Sequence, residues 1–319
     1  MKNLSATLIA AFLLALSPLY AQYDANRNVW FTDLEKAFKD PLRVYNLDLS
    51  NQGLDTIPAY IQRFPNLIAL KLSDNTISAL NDNLSTLSKL EFLELSGNKL
   101  TSIDFTLFKK AKFNLEEIWL RDNKITEIDS TIQVLRSLKL LNLGNNQIEH
   151  IDPNIRLKHL ESLYLDYNVL QVVPALVYTA YKLEYLNLNA NQLKRFELNT
   201  GLRNLKSLNI GDNPIESLQF KKSKYKLSTL ILDWIDLSKQ NLKQLPFSIQ
   251  ILSLEHCQLY DIEGIAHLKN LKELSVIYNE LQQIPEALKS MRELEKLWIK
   301  GNPLDGSAVA HLTKVEIID

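Results

Sequence analysis

The stretch Leu90 to Leu100, "LEFLELSGNKL", places apolar residues at positions one, four, six and eleven of an eleven-residue frame and an asparagine at position nine. Its centre alternates apolar and polar residues at period two, the pattern of a short strand with one buried and one wet face. The frame recurs as "LIALKLSDNTI" from Leu67, "LEEIWLRDNKI" from Leu115, "LKLLNLGNNQI" from Leu138 and "LESLYLDYNVL" from Leu160. It continues through "LEYLNLNANQL" from Leu183, "LKSLNIGDNPI" from Leu205, "IQILSLEHCQL" from Ile249, "LKELSVIYNEL" from Leu271 and "LEKLWIKGNPL" from Leu294. With a degenerate first copy, "VYNLDLSNQGL" from Val44, and one at Leu227, "LSTLILDWIDL", there are twelve copies whose starts lie 22 to 25 residues apart.

A single copy has no second layer against which to bury its apolar face, so stability must come from stacking copies on one another. Burying one Leu or Ile is worth about 1.5 to 3 kcal/mol. Position nine is asparagine at Asn75, Asn98, Asn123, Asn146, Asn168, Asn191, Asn213, Asn279 and Asn302. An amide both donates and accepts, which suits a turn whose backbone groups would otherwise be buried unpaired, and a ladder of amides is expected. The pattern LxxLxLxxNxL resembles that of the leucine-rich-repeat family. The resemblance implies an α/β solenoid, a horseshoe with a parallel sheet on its concave face and short helical or extended segments on its convex face.

On this reading residues 44–304 hold the twelve repeats, 22–43 an N-terminal capping helix region and 305–319 a C-terminal cap. In "FTDLEKAFKDP", Thr32 or Asp33 can cap a helix with Leu34, Ala37 and Phe38 on one face and Pro41 as its stop. "DGSAVAHLTKVEIID" offers Ser307 as a cap, a short helix and a final extended run. Pro58, Pro174 and Pro285, each four residues past position eleven, discourage continuation of a strand. Between Gln219 and Ile249 two registers compete, one from Leu227 that preserves the 22-residue spacing and one from Leu232 that puts Gln240 in the asparagine slot. The spacing-preserving register is favoured, with a kink or loop expected there.

Residues 1–21 combine Lys2, an apolar run from Leu4 to Leu16, and Pro18 before Ala21. This is the composition of a secretory signal cut after Ala21; an uncleaved anchor or a buried helix is the alternative. The expected location is therefore secreted, periplasmic or cell-surface. Extracellular eukaryotic members of the resembled family close their ends with cysteine clusters, which a chain with one cysteine cannot do, so a bacterial source is expected.

Lys and Arg total 36 against 37 Asp and Glu, so no net charge draws the chain to nucleic acid or an anionic membrane. No GxGxxG or GxxxxGK[ST] loop occurs, and the five histidines form no metal-ligand spacing, so neither cofactor nor metal is expected. Glu94, Glu117 and Asp122 could supply an acid/base pair for glycoside cleavage, yet nothing in their spacing separates them from solubilising charges, and an enzyme is not expected.

Positions two, three, five, seven and eight project outward, onto the face this family usually offers to partners. There the sequence places Phe92, Trp119, Arg121, Asp122, Tyr164, Asp166, Tyr167 and Tyr185, followed by Trp234, Tyr278 and Trp298. Trp, Tyr and Arg dominate protein-interface energetics because they bury large areas while keeping a polar handle. A protein partner held by a monomeric, non-enzymatic chain is expected, with self-assembly or a surface-structural role as one alternative and glycan binding by the aromatics as another. Glu91, Glu94, Glu116 and Glu117 beside the patch favour a basic partner or simply form a solvated face.

The lone cysteine sits in "LSLEHCQL" beside Glu255 and His256, the residue types of a thiol nucleophile, its base and an orienting carboxylate. The repeat frame gives another reading. Cys257 is position nine, pointing inward as a small buried group, whereas Glu255 and His256 at positions seven and eight face out.

Overall fold

The computed structural model describes residues 29–109, 114–221, 224–305 and 307–319. The expected signal segment, with residues 22–28, lies outside them. The chain folds as two compact units, one of residues 1–169 and 174–183 and one of residues 170–173 and 184–319.

In the first unit seven short strands pair in parallel: Trp30–Phe31, Asn46–Asp48, Ala69–Lys71, Phe92–Glu94, Glu117–Trp119, Leu140–Asn142 and Ser162–Tyr164. The second unit does the same with Tyr185–Asn187, Ser207–Asn209, Thr229–Ile231, Ile251–Ser253, Glu273–Ser275, Lys296–Trp298 and Glu316–Ile318. Register follows the repeat frame, since position four meets position four: Leu47 pairs Leu70, Leu70 pairs Leu93, and Leu230 pairs Leu252. These leucines are fully buried. The irregular stretch obeys the frame from Leu227, with Thr229 opposite Ile251 and Ser207 opposite Thr229, so the expected kink does not interrupt pairing there.

Connecting segments away from these strands are mostly single turns of 3-10 helix, as 22 to 25 residues per coil require. Pro58 and Pro285 stand immediately before the turns Ala59–Arg63 and Glu286–Ser290, and Pro174 before the helix Ala175–Thr179. Two small parallel sheets join coils on this side, Glu127–Ile128 with His150–Ile151 and Arg195–Leu198 with Ser217–Phe220; the 3-10 turns Ser130–Val134 and Thr200–Leu202 follow the first strand of each.

Each end keeps part of the sequence expectation and departs from the rest. At the N-terminal end the helix Leu34–Lys39 forms with Asp33 as cap, its Oδ1 accepting from Glu35 and Lys36 N–H. Phe38 stacks on Phe64 at 5.4 Å, which ties the helix to the coils behind it. An extra strand, Trp30–Phe31, extends the sheet one position before the first repeat. At the other end no helix forms among the described residues: Asp305 rather than Ser307 caps a run of turns, and the expected extended run supplies the strand Glu316–Ile318 against Lys296–Trp298. A strand supplies the pairing that an exposed sheet edge lacks, which a helix at that point would not.

The asparagine ladder is built as a reciprocal clamp. Asn98 Nδ2 donates to the position-six carbonyls of its own and the preceding repeat, Leu95 and Leu72, both at 2.9 Å. Its Oδ1 accepts the position-eleven N–H of the preceding repeat, Ile77, at 3.0 Å. Asn75, Asn123, Asn146, Asn168, Asn213, Asn279 and Asn302 repeat the same three bonds. Asn191 bonds Leu188 and Leu170 in the same manner. The backbone turns inward just before each amide, and position eight lies in the left-handed region in all twelve repeats, from Asn51 (φ 56) to Gly301 (φ 73).

Candidate partner-binding face

A left-handed φ suits Gly, Asn and Asp and costs a bulky L-residue roughly 1 to 2 kcal/mol. Asn51, Asp74, Gly97, Asp122, Asn145, Asp212 and Gly301 fill position eight at low cost. Tyr167 (φ 54), Trp234 (φ 63), His256 (φ 55) and Tyr278 (φ 54) do not. The turn aims Tyr167 along the rim of the strand face in the first unit, and Trp234, His256 and Tyr278 along that of the second.

In the first unit the rim residue Tyr167 is 47% exposed, and the Arg121 guanidinium stands 6.0 Å from its ring. Arg121 reaches past the intervening repeat to Asp166, with Nη1 at 2.7 Å from Oδ2, and its Nε lies 3.7 Å from Asp122. The crossing exists because position seven of the intervening repeat is Gly144. A Cβ there would stand 2.2 Å from Arg121 Nη1. Burial works against the guanidinium charge, but Asp166 and Asp122 outweigh it and raise the Arg121 pKa. Trp119 is half-buried, with Nε1 donating to Glu117 at 3.3 Å.

Other residues expected on this face have little surface to offer. Phe92, Tyr164 and Asp166 are 5%, 4% and 5% exposed, and Trp298 is 6% exposed. They point away from the leucine core but pack side by side with neighbouring strands; Phe92 meets Trp30 edge-on at 6.4 Å. Tyr185 is half-buried. The carboxylates beside the patch are not a free acidic field either. Glu116 pairs with Lys139 at 2.7 Å, and burial raises the pKa of both Glu94 and Glu117.

In the second unit three rim side chains stack. The Trp234 and His256 rings lie 3.7 Å apart at 14°, and His256 and Tyr278 lie 4.6 Å apart at 22°. Tyr278 also leans over Gly301, where an added Cβ would stand 2.3 Å from its Cδ1. The ribbon has Trp234 40% and Tyr278 49% exposed, and His256 shares both faces of its ring with neighbours. His256 faces out as its position eight implies but is not among the partner-binding candidates of the sequence; its signal is the spacing of 22 residues that puts Trp234, His256 and Tyr278 in one column.

That stacking also separates the residues of "LSLEHCQL". Cys257 is fully buried, and its Sγ donates toward Leu232 O at 3.3 Å and Glu255 O at 3.4 Å. Burial, then Asp233 nearby, pushes its pKa well up, the direction opposite to an activated thiol. Glu255, expected to face out, is instead 5% exposed and accepts from Ser275 Oγ at 2.6 Å. Its neighbour Asp233 is 3% exposed, and burial together with the Glu255 charge raises its pKa to about 7. Low dielectric around adjacent carboxyls favours the neutral form.

The thiol is a partial substitute for asparagine. It reaches the preceding repeat's position-six carbonyl as an amide would, but offers no acceptor to the position-eleven N–H. Leu237 N–H turns instead to the Cys257 backbone carbonyl at 3.0 Å, and Gln258 takes φ 58. The first repeat, with Gln52 in the slot, has the same left-handed residue at Gly53 (φ 67).

Strand pairing in the repeat frame, 3-10 connections and the amide ladder define a leucine-rich-repeat fold. Residues 43–100 and 113–170 match the leucine rich repeat family. Among solved structures, the internalin InlF of Listeria monocytogenes is 22% identical with a TM-score of 0.62, over 98% of this chain and 94% of that one. A leucine-rich-repeat protein of Leptospira interrogans is 23% identical with a TM-score of 0.51, over 91% of this chain and 99% of that one. The repeat domain of FLRT2, seen in an octameric complex with Latrophilin 3 and Unc5D, is 19% identical with a TM-score of 0.64, over 84% and 87%. Identities of this size establish the shared fold. The acidic leucine-rich nuclear phosphoprotein 32 family member A of Drosophila melanogaster is 44% identical over 59 residues, 18% of this chain and 22% of that protein. The chain thus spans about a fifth of the length of the curated relatives it matches. Leucine-rich-repeat proteins are generally protein-interaction modules and typically non-enzymatic.

Proposed function

We propose that this chain is a secreted, non-enzymatic module that captures a protein partner on the outer strand face, centred on Trp119, Arg121, Asp122 and Tyr167. One observation carries the reading. Tyr167 occupies a backbone conformation that disfavours a bulky side chain, and it recovers little by packing, being 47% exposed. A partner that covers the ring would supply what the free chain lacks. The neighbouring Arg121 is held by Asp166 at 2.7 Å, so little of its rotamer freedom remains to be lost on binding. Export rests on the composition of residues 1–21. FLRT2, similar in fold, stands in a complex with other proteins, which supports a protein partner over a small ligand.

Affinity capture with the mature chain, followed by mass spectrometry, tests the site. The double variant Trp119→Ala with Tyr167→Ala is expected to lose capture at least about tenfold with its melting temperature little changed, as two hot-spot rings would. Undiminished capture by that variant would refute this placement.

A further inference from the structure

We infer that the second unit carries a binding pocket for an organic anion with an apolar body, away from the strand face and independent of the partner-binding proposal. The pocket is a cavity of about 670 Å³ with Phe220, Lys221, Lys224 and Tyr225 on one side and the segment 243–248 on the other. That volume falls within the range of small-molecule sites. Its apolar walls come from Phe220, Tyr225, Leu245, Pro246 and Phe247. Lys221, Lys224 and Lys243 supply the charge, and no carboxylate stands among the described residues that line it.

The walls are held in place before any ligand arrives. The single proton of Tyr225 Oη is shared between two carbonyls, Leu198 O at 2.8 Å and Lys221 O at 2.6 Å, which fixes one side. Gln244 Nε2 donates to Leu218 O, Ser248 Oγ to Leu227 O and Asn270 Nδ2 to Phe247 O, each within 2.9 Å. The polar side chains thus spend these donors on the scaffold. Lys221 is paired with Glu197 at 2.8 Å, whereas Lys224 and Lys243 form no ion pair with a carboxylate among the described residues. Two exposed lysines therefore border an apolar cavity.

Phe247 decides between this pocket and an ordinary charged surface. It is 69% exposed, edge-on to His267 at 5.1 Å, and one of the most exposed large apolar side chains among the described residues. A neighbouring hollow, lined by Lys269, Lys272, Arg292 and Glu293, is cationic too but has no aromatic wall. Charge alone would make both hollows bind the same anions. A ring or short alkyl body beside a carboxylate, sulfonate or phosphate fits only the first, because the apolar body gains burial while the anion stays near the two lysines.

The test uses 8-anilino-1-naphthalenesulfonate as the probe, titrated into the mature chain at low ionic strength and followed by fluorescence and calorimetry. One saturable site is expected. Lys224→Ala with Lys243→Ala, and separately Phe247→Ala, should each weaken binding about tenfold or more, the scale of one lost charge-assisted or ring contact. The uncharged analogue N-phenyl-1-naphthylamine should bind about tenfold less tightly than the sulfonate. Lys269→Ala with Lys272→Ala should leave the probe's affinity unchanged. All substituted side chains are exposed, and circular dichroism on each variant checks that the fold persists. Absence of saturable binding overturns the proposal, as does an affinity insensitive to Lys224, Lys243 and Phe247 or equally sensitive to Lys269 and Lys272.

Discussion

Arg121 and Asp166 belong to repeats that are not neighbours, and they meet at 2.7 Å only because Gly144 leaves the space between them empty. The Asp166 side chain is 7% exposed, so without Arg121 a carboxylate is left buried and uncompensated. Arg121→Ala is expected to lower the unfolding free energy by about 2 kcal/mol, below the fully buried range because the guanidinium itself is 34% exposed. Gly144→Val should cause a similar loss by displacing the same guanidinium. Urea titration of both variants checks this, and additive losses in the combined variant would show that the two substitutions act on different contacts.

Stability should fall as pH rises toward neutrality. An unfolded Asp titrates near pH 3.9, whereas Asp233 in the fold titrates at about 7. Between those values the folded state holds the extra proton, so its stability is greatest below the unfolded pKa and is lost as pH climbs through about 7. Glu255, Glu94 and Glu117 shift in the same direction. Asp33, Asp104, Asp236 and Asp305 shift downward, so their contribution is lost in stronger acid, below the unfolded range. Urea midpoints at about pH 5 and about pH 8 should differ in the wild type and differ less in Asp233→Asn, the remainder coming from the three glutamates. Equal midpoints in the wild type would contradict the burial of a protonated Asp233.

Asn279 accepts from Cys257 N–H and Leu259 N–H, both at 3.0 Å, and donates to Leu254 O at 2.7 Å and Val276 O at 2.9 Å. Asn279→Ala strands Cys257 N–H, Leu259 N–H and Leu254 O, while Val276 O keeps Asn302 Nδ2 at 2.8 Å, and is expected to cost about 3 kcal/mol. Cys257→Ala loses two weak thiol bonds and a small buried volume, at about 1 kcal/mol. In the native chain Cys257 should resist a thiol reagent until denaturant is added. Prompt labelling of the folded protein would place the thiol outside the core.

The imidazole of His256 is the middle ring of a three-ring stack. His256→Ala leaves Trp234 and Tyr278 facing a gap, with an expected loss of about 1 to 2 kcal/mol for two ring contacts. Near-ultraviolet circular dichroism should weaken in parallel, because Trp234 loses its fixed surroundings. An unaltered spectrum would mean that the stack does not hold in solution.

Much of the fold could be read from the period. Positions four and six are buried in every repeat because a parallel stack offers no other place for them, and the LxL register then sets each strand. The competing register at Leu232 fails for the same reason, since it would break the pairing of Thr229 with Ser207 and Ile251. The ends were less legible. Trp30–Phe31 and Glu316–Ile318 lie outside the repeat period and become strands because a sheet edge is available to them.

The candidate face was legible as a set of positions, not as a surface. Sequence by itself determined the repeat, the inward Asn slot and the inward turn of Cys257, because each follows from a one-dimensional period imposed on every coil. Only the tertiary structure decided which outward residues are exposed. Tyr164 at position five packs into the strand face, while Tyr167 at position eight is turned onto the rim by a left-handed φ. Arg121 bridges a repeat because of a glycine in a different coil, and Glu255 is buried by a serine in the next. These outcomes depend on which side chains stand beside one another across strands, a property of the stack that no single repeat contains.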